Sequence, residues 1–245
     1  PGTNQKIKKI LKNKNSNLVY GPERIVQSKS LIELPKLPQI LACEKKSAFE
    51  SSKKLFLKIS KKIIKTSILE AELIKLYSNA NRYINFAIAN QLYTICHLNN
   101  LDFKRVRNIM QDGYARNLNL TNAGFTAGPC LVKDTMQLKY FTKNSFSLGS
   151  AAMKVNENIP NLIIDKLKKF NSYKSKKIGL LGLTFKGETD DTRDSLSIVL
   201  LNKLKKLNLK ILQSDEYYKT KNGISKKELI NKSDIIIIGA PHKAY

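Results

Sequence analysis

Apolar residues return at spacings of three and four from Leu69 to Ile95, through Leu73, Leu76, Ala80, Ile84, Ala87, Ile88 and Leu92. No proline or glycine interrupts the pattern before Asn99-Asn100, so it predicts a single helix of about 30 residues, roughly 45 Å long. Ser67-Ile-Leu-Glu70 just ahead of it is a capping box, in which Ser67 and Glu70 satisfy the first free amides reciprocally. So long a helix suits a spine between domains or a dimer contact better than a local packing element. Asp102 is placed to cap the next helix, running toward Gly113. Further helix is expected from Asp134 to Phe141 and from Ser150 to Asn158, where Pro160 interrupts it.

Upstream of Ser67 the pattern is weaker. It holds a helix-like stretch at Ile7 to Leu11, short apolar pieces at Leu18 to Tyr20 and Ile40 to Cys43, and a basic helical pattern from Ala48 to Ile64. This reads as the tail of a larger α/β unit without a convincing start. Downstream, the polar Asn171 to Lys177 reads as a linker. Beyond it, strands at Ile178 to Leu183, Leu209 to Leu212 and Asp234 to Gly239 are expected, with an amphipathic helix from Ser195 to Lys206. That alternation points to a doubly wound α/β domain. Gly179 and Gly182 do not complete a GxGxxG turn, and close packing of a strand accounts for them as well as a nucleotide does. Three regions follow, at 1–66, 67–170 and 175–245, with the middle one helical.

A length of 245 residues, 42% of them hydrophobic, is enough for one large core or several smaller ones. No apolar run approaches the roughly 18 residues of a membrane span, and the lysine-rich opening has no signal-peptide core, so neither a membrane partner nor export is expected and the cytoplasm is. The formal charge of +25 raises the question of nucleic acid. Only six of the 44 basic residues are arginine, however, and the lysine doublets flank helical apolar positions as a solvated face would. Nucleic acid is therefore not the expected partner, although a field of this sign would attract an anionic ligand. Cys43, Cys96 and Cys130 show no CxxC spacing and histidine occurs only at positions 97 and 242, so no metal site is expected.

The chemistry concentrates in Gly124-Phe-Thr-Ala-Gly-Pro-Cys130-Leu-Val-Lys-Asp134. Small residues lead to a cysteine at the start of an amphipathic helix, where the macrodipole and free amides favour a thiolate and Lys133 adds positive charge. Cys43 and Cys96 lie inside apolar stretches and read as buried, inert thiols. Lys75 and Asn79 are four residues apart and so share a helix face, among apolar neighbours. In isolation such a pair reads as a solvated edge.

Together these segments carry a resemblance. Glu72-Leu-Ile-Lys75-Leu-Tyr-Ser-Asn79, the approach to Cys130 with Lys133-Asp134 after it, and Phe185-Lys186-Gly-Glu-Thr-Asp-Asp-Thr-Arg193-Asp-Ser195 resemble three signatures of the UDP-glucose/GDP-mannose dehydrogenase family. Pro1-Gly-Thr3 and Gly21-Pro-Glu23-Arg-Ile25 resemble two more, in matching order across essentially the whole chain. The resemblance implies an α/β fold: the end of an NAD-binding Rossmann domain, a helical middle built on a dimer-forming long helix, and a C-terminal Rossmann-like domain that helps hold a UDP-sugar. It implies a homodimer, NAD as cofactor, and oxidation of the sugar's C6 alcohol to the acid through a cysteine thiohemiacetal and thioester.

By the same resemblance Cys130 is the nucleophile. Lys75, Asn79 and Asp134 surround the reacting carbon, and Glu23 serves the hydrolysis step. Phe125, Thr126 and Ala127 line the substrate, which Phe185 and Lys186 also contact, while Lys133 and Arg193 meet NAD. Arg116 corresponds to an arginine that reaches a neighbouring subunit's substrate. The wording around Cys130 is similar to the branch acting on UDP-N-acetylhexosamines for polysaccharide synthesis, with UDP-glucose the other substrate. The family's GxGxxG turn has no counterpart in these residues, and Val132 stands where many relatives have proline. The chain is therefore expected to be a truncated form, inactive alone, with a remnant that only dimerises or binds UDP-sugar as the alternative reading.

Overall fold

The structure, a computed structural model, describes residues 1–11, 17–26 and 29–245. The chain packs as two compact units, Pro1–Asn79 and Ala80–Tyr245. The first contains α1 (Thr3–Leu11), α2 (Ser30–Glu33), β1 (Gln39–Ala42), α3 (Lys46–Phe56), β2 (Ile63–Thr66) and the opening turns of α4 (Ile68–Leu98). β1 and β2 are parallel, with Gln39 opposite Ile63 and Ala42 opposite Thr66. β1 is buried along its whole length. Its alternating side chains feed two cores: Leu41 packs with Cys43, Ala48 and Phe49, and Ile40 and Ala42 pack with Ala71 of α4.

The helical pattern expected over Ala48 to Ile64 ends earlier, at Phe56. Ile63, Ile64 and Thr66 are β-branched, which costs rotamer freedom in a helix and suits a pleated strand. Ser60 fixes the turn between the two elements, donating from Oγ to the Leu37 carbonyl at 2.8 Å. The capping box is present as expected: Ser67 N–H donates to Glu70 Oε2 at 2.8 Å and Glu70 N–H to Ser67 Oγ at 3.3 Å.

In the second unit α4 continues to Leu98 as one helix. After it come α5 (Phe103–Gln111), a 3-10 turn at Ala115–Asn117, α6 (Pro129–Phe141), α7 (Ser147–Glu157) and α8 (Ile159–Lys168). The buried face of α4 packs on two neighbours: Tyr83 and Ala87 meet Ala152 of α7, and the small Ala89 and Cys96 meet Phe103 of α5. Asp102 caps α5, accepting from Lys104 N–H at 2.8 Å. Pro160 falls in the first turn of α8, where its missing N–H leaves no bond unmade, so the helical run resumes to Lys168 instead of stopping.

The unit closes with β3 (Lys177–Leu181), α9 (Leu196–Lys206), β4 (Lys210–Ser214), α10 (Lys226–Lys232) and β5 (Ile235–Ile238). The sheet order is β4-β3-β5, all parallel. Ile178 and Leu180 point into a core with Ile164 and Leu167 of α8 and Leu200, Leu201 and Leu204 of α9. Gly179 faces the other way, where a Cβ would lie 2.5 Å from a Leu229 methyl of α10 and 2.4 Å from Ser233 Oγ. Its glycine is thus accounted for by helix-on-sheet packing. No described helix is long and apolar enough to cross a membrane.

The capping box generates a pH test. The hydroxyl of Thr66, the Ser67 amide and the Ser67 hydroxyl hold the Glu70 carboxylate at a pKa of about 2, against an ordinary 4.5. A depressed folded-state pKa gives stability that is complete above the unfolded value and is lost as pH falls through the folded one. Glu70→Gln is expected to melt at a lower temperature than the parent at pH 7, and thermal melts should show the gap closing as pH falls from 4.5 toward 2.

Candidate active site

The segment before α6 is shaped by one glycine. Gly128 adopts φ 106° and ψ 154° at the helix N-cap, Pro129 takes the first helical position, and Cys130 follows it. The helix therefore starts five residues ahead of Asp134, the start that the apolar pattern suggested. This puts the thiol among the free amides of a first turn. Cys130 is exposed, whereas Cys43 and Cys96 are buried as expected. One turn further along α6, Asp134 is buried, and its Oδ1 lies 4.0 Å from Nζ of the exposed Lys133.

The approach loop is anchored by two fully buried asparagines. Gly124 N–H donates to Asn90 Oδ1 at 2.8 Å, Asn90 Nδ2 donates to Asn156 Oδ1 at 2.8 Å, and Asn156 Nδ2 donates to the Tyr83 carbonyl at 3.0 Å. Phe125 packs on the core of the C-terminal sheet. Thr126 and Ala127 are enclosed, and Thr126 Oγ1 meets no hydrogen-bond partner among the described residues.

Beyond β3, the Phe185 ring covers Gly128 so closely that a Cβ there would lie 2.6 Å from the ring. The Lys186 ammonium lies 5.6 Å from the centre of that ring. Arg193 is exposed and holds Asp191 bidentately, at 2.7 Å from Nη2 and 3.1 Å from Nε. Its pKa is raised by the Asp191 hydrogen bond first, then by the Asp191 charge, with a smaller contribution from the charge of Cys130, so that thiol and guanidinium are within electrostatic range. The sheet end that carries Phe185, Lys186 and Arg193 thus meets the start of α6. Arg116 is exposed in the 3-10 turn, its Nη1 3.2 Å from the Tyr114 hydroxyl, and has no described contact with this cluster.

Lys75, Asn79 and Glu23 belong to the first unit. Lys75 and Asn79 lie half-buried one turn apart on α4. Glu23 is exposed, and its Oε1 accepts from the Arg24 and Ile25 amides at 2.7 and 2.8 Å. Sequence reasoning gave no role to Glu72, which sits three residues before Lys75. Its buried carboxylate accepts from Gly2 N–H at 2.5 Å, Asn4 N–H at 3.0 Å and Asn4 Nδ2 at 2.6 Å. Burial alone would raise its pKa, but these donors outweigh that and lower it. The signal was present, an acid set between Ala71 and Ile74 on the apolar side of the helix. Asn90 and Asn156 were equally readable as amides within apolar stripes.

Comparison with known proteins decides the family. Residues 69–158 match the model of the UDP-glucose/GDP-mannose dehydrogenase family central domain, and residues 179–245 that of the family's UDP binding domain. The chain belongs to this family. It is 26% identical over 258 residues to the UDP-N-acetyl-D-mannosamine dehydrogenase of Pyrococcus horikoshii, covering 100% of this chain and 61% of that protein. The solved structure of the P. horikoshii UDP-ManNAc dehydrogenase superposes with a TM-score of 0.89 at 26% identity, over 100% of this chain and 61% of that one. A UDP-glucose 6-dehydrogenase of Bacillus subtilis is 33% identical over 158 residues, 62% of this chain and 36% of that protein. The chain thus spans 61% of the length of its P. horikoshii relative.

Two tests follow from the site. Iodoacetamide should label Cys130 ahead of Cys43 and Cys96, which are 8% and 6% exposed, and peptide mass spectrometry reads the order. Gly128→Ala should lower stability by about 2–4 kcal/mol, because it adds an unfavourable φ to a clash with Phe185; chemical denaturation measures the loss.

Proposed function

We propose that this chain forms the substrate side of an NAD-dependent nucleotide-sugar 6-dehydrogenase, which oxidises the C6 alcohol of a UDP-sugar to the uronic acid. The observation that carries the reading is the exposed thiol of Cys130 at the start of α6, against which the Phe185 ring of the family's UDP binding domain is packed at Gly128. Relatives that match the whole of this chain are named UDP-N-acetyl-D-mannosamine dehydrogenases, which favours a UDP-N-acetylhexosamine over UDP-glucose. Exposed Ile88 and Ile95 on α4 support the proposal of a homodimer through that helix.

The Lys186 ammonium serves the diphosphate as a point charge, with the Phe185 ring face keeping it in place. The first-turn amides of α6 stabilise the Cys130 thiolate, which adds to the C6 aldehyde and later holds the acyl group as a thioester. Lys75 and Asn79 stabilise the oxyanion that develops on the C6 oxygen, by charge and by hydrogen bonding. Asp134 and Glu23 move protons for the water that hydrolyses the thioester, which returns the thiol and releases the acid. When bound, NAD supplies the hydride acceptor for both oxidations. Lys133 and Arg193 suit the phosphates of a dinucleotide, being exposed cations near Cys130; the Gly-rich pyrophosphate turn is not among these residues.

Lys186→Ala should weaken UDP binding by about tenfold or more, the weight of one charge-assisted contact. An unchanged dissociation constant in calorimetry would remove Lys186 from the site. In an active form supplied with NAD and a UDP-sugar, Cys130→Ala should cut uronic acid formation by roughly 10³-fold or more. Replacement of Glu23 or Asp134 should instead let a covalent sugar adduct build up on Cys130, visible as added mass on the intact protein. Parent-rate acid formation by Cys130→Ala would sink the covalent route.

A further inference from the structure

We infer that His242, held by Asp215, is a positioning residue for Lys186: it clamps the 184–188 segment from both ends and so sets where the ammonium meets the diphosphate. The inference rests on the reading of Lys186 given above and goes beyond it, since neither partner has a place in that chemistry. Both side chains are completely enclosed. Glu188 N–H donates to His242 Nδ1 at 3.0 Å, so Nδ1 is an acceptor and the ring proton sits on Nε2. Nε2 lies 3.3 Å from Asp215 Oδ2 and 3.3 Å from Thr184 Oγ1. The Thr184 hydroxyl in turn donates to the Lys186 carbonyl at 2.9 Å.

One face of the imidazole thus fixes the peptide of Lys186 through Thr184, and the other fixes the amide two residues later. Glu188 needs such a hold, because its φ of 58° is one that a residue with a side chain seldom adopts. Its carboxylate is gathered to the same place, Oε1 accepting from Lys243 N–H at 2.8 Å and Oε2 from the Tyr217 hydroxyl at 3.2 Å.

Further side chains close around the imidazole. Asp215 lies at Nε2, and Glu188 Oε1 is 4.0 Å from Nδ1. The Tyr217 and Tyr245 rings flank it at 5.0 and 5.3 Å. Lys226 of α10 lies 5.6 Å from the centre of the Tyr245 ring and is paired with Glu216 at 2.6 Å.

The test uses UDP-glucose, whose esterified phosphates keep their charge as pH changes, titrated by calorimetry into the 245-residue chain. His242→Ala and Lys186→Ala should each weaken binding by about tenfold. The double variant should bind no more weakly than Lys186→Ala alone, since the histidine acts through the lysine. Parent-like binding by His242→Ala, or losses that multiply in the double variant, would overturn the inference while the role of Lys186 stands. Parent-like binding by Lys186→Ala would instead remove the reading of the site, and the inference with it.

His242→Gln guards against simple unfolding, because its amide offers both an acceptor and a donor. It should restore binding to within about twofold, and failure to do so in a chain with parent-like circular dichroism counts against the inference.

Discussion

A carboxylate closed off from water is unstable unless donors converge on it, and four backbone amides do so at Asp215. Leu183 and Thr184 donate to one oxygen, at 2.6 and 3.2 Å, and Tyr217 and Tyr218 to the other, at 2.8 and 2.9 Å. Burial pushes the pKa up, but these amides and the His242 ring more than offset it and the net direction is down. The charge therefore binds the exit of β3 to the exit of β4, two strands that would otherwise part beyond their last ladder bonds. The direction of the chain from Leu183 onward, and with it the approach of Phe185 to Gly128, follows from that knot.

Comparable physics recurs in the first unit. Glu72 gathers the Pro1-Gly-Thr3 turn onto α4, again with a buried acid whose oxygens are filled by amides and an asparagine side chain. Asn90 does for the loop before Cys130 what the two acids do elsewhere, without a charge. In each case a polar group on a regular element holds an irregular segment. The segments are free of helix or strand geometry because something rigid nearby satisfies their amides.

Much of this was legible from residue order. The long helix and the three strands of the second sheet follow from periodicities that burial rewards directly, while the capping box and the helix start near Cys130 were marked by local residue types and not by the apolar pattern. The short strand Ile63–Thr66 was hidden because a basic run next to apolar residues fits a helix equally well until its partner strand is known. α10 was hidden too, having seven residues and one fully buried side chain, Leu229. The chemical residues were legible mainly through family resemblance, since a lysine and an asparagine one turn apart describe many solvated helices. The knot at Asp215 could not be read at all, because its donors are chiefly backbone amides, which every sequence carries and none advertises.

The volume beside Cys130 is shared by two positions far apart in the chain. Gly128 contributes no side chain, and Phe185 occupies the space that one would have filled. Drift at this junction is therefore one-sided. Position 128 has nothing to trim, while every shortening of the ring at 185 opens room against the backbone that leads into Cys130. The width of this junction is therefore set at the aromatic position, with the glycine left as the fixed background against which any change is measured.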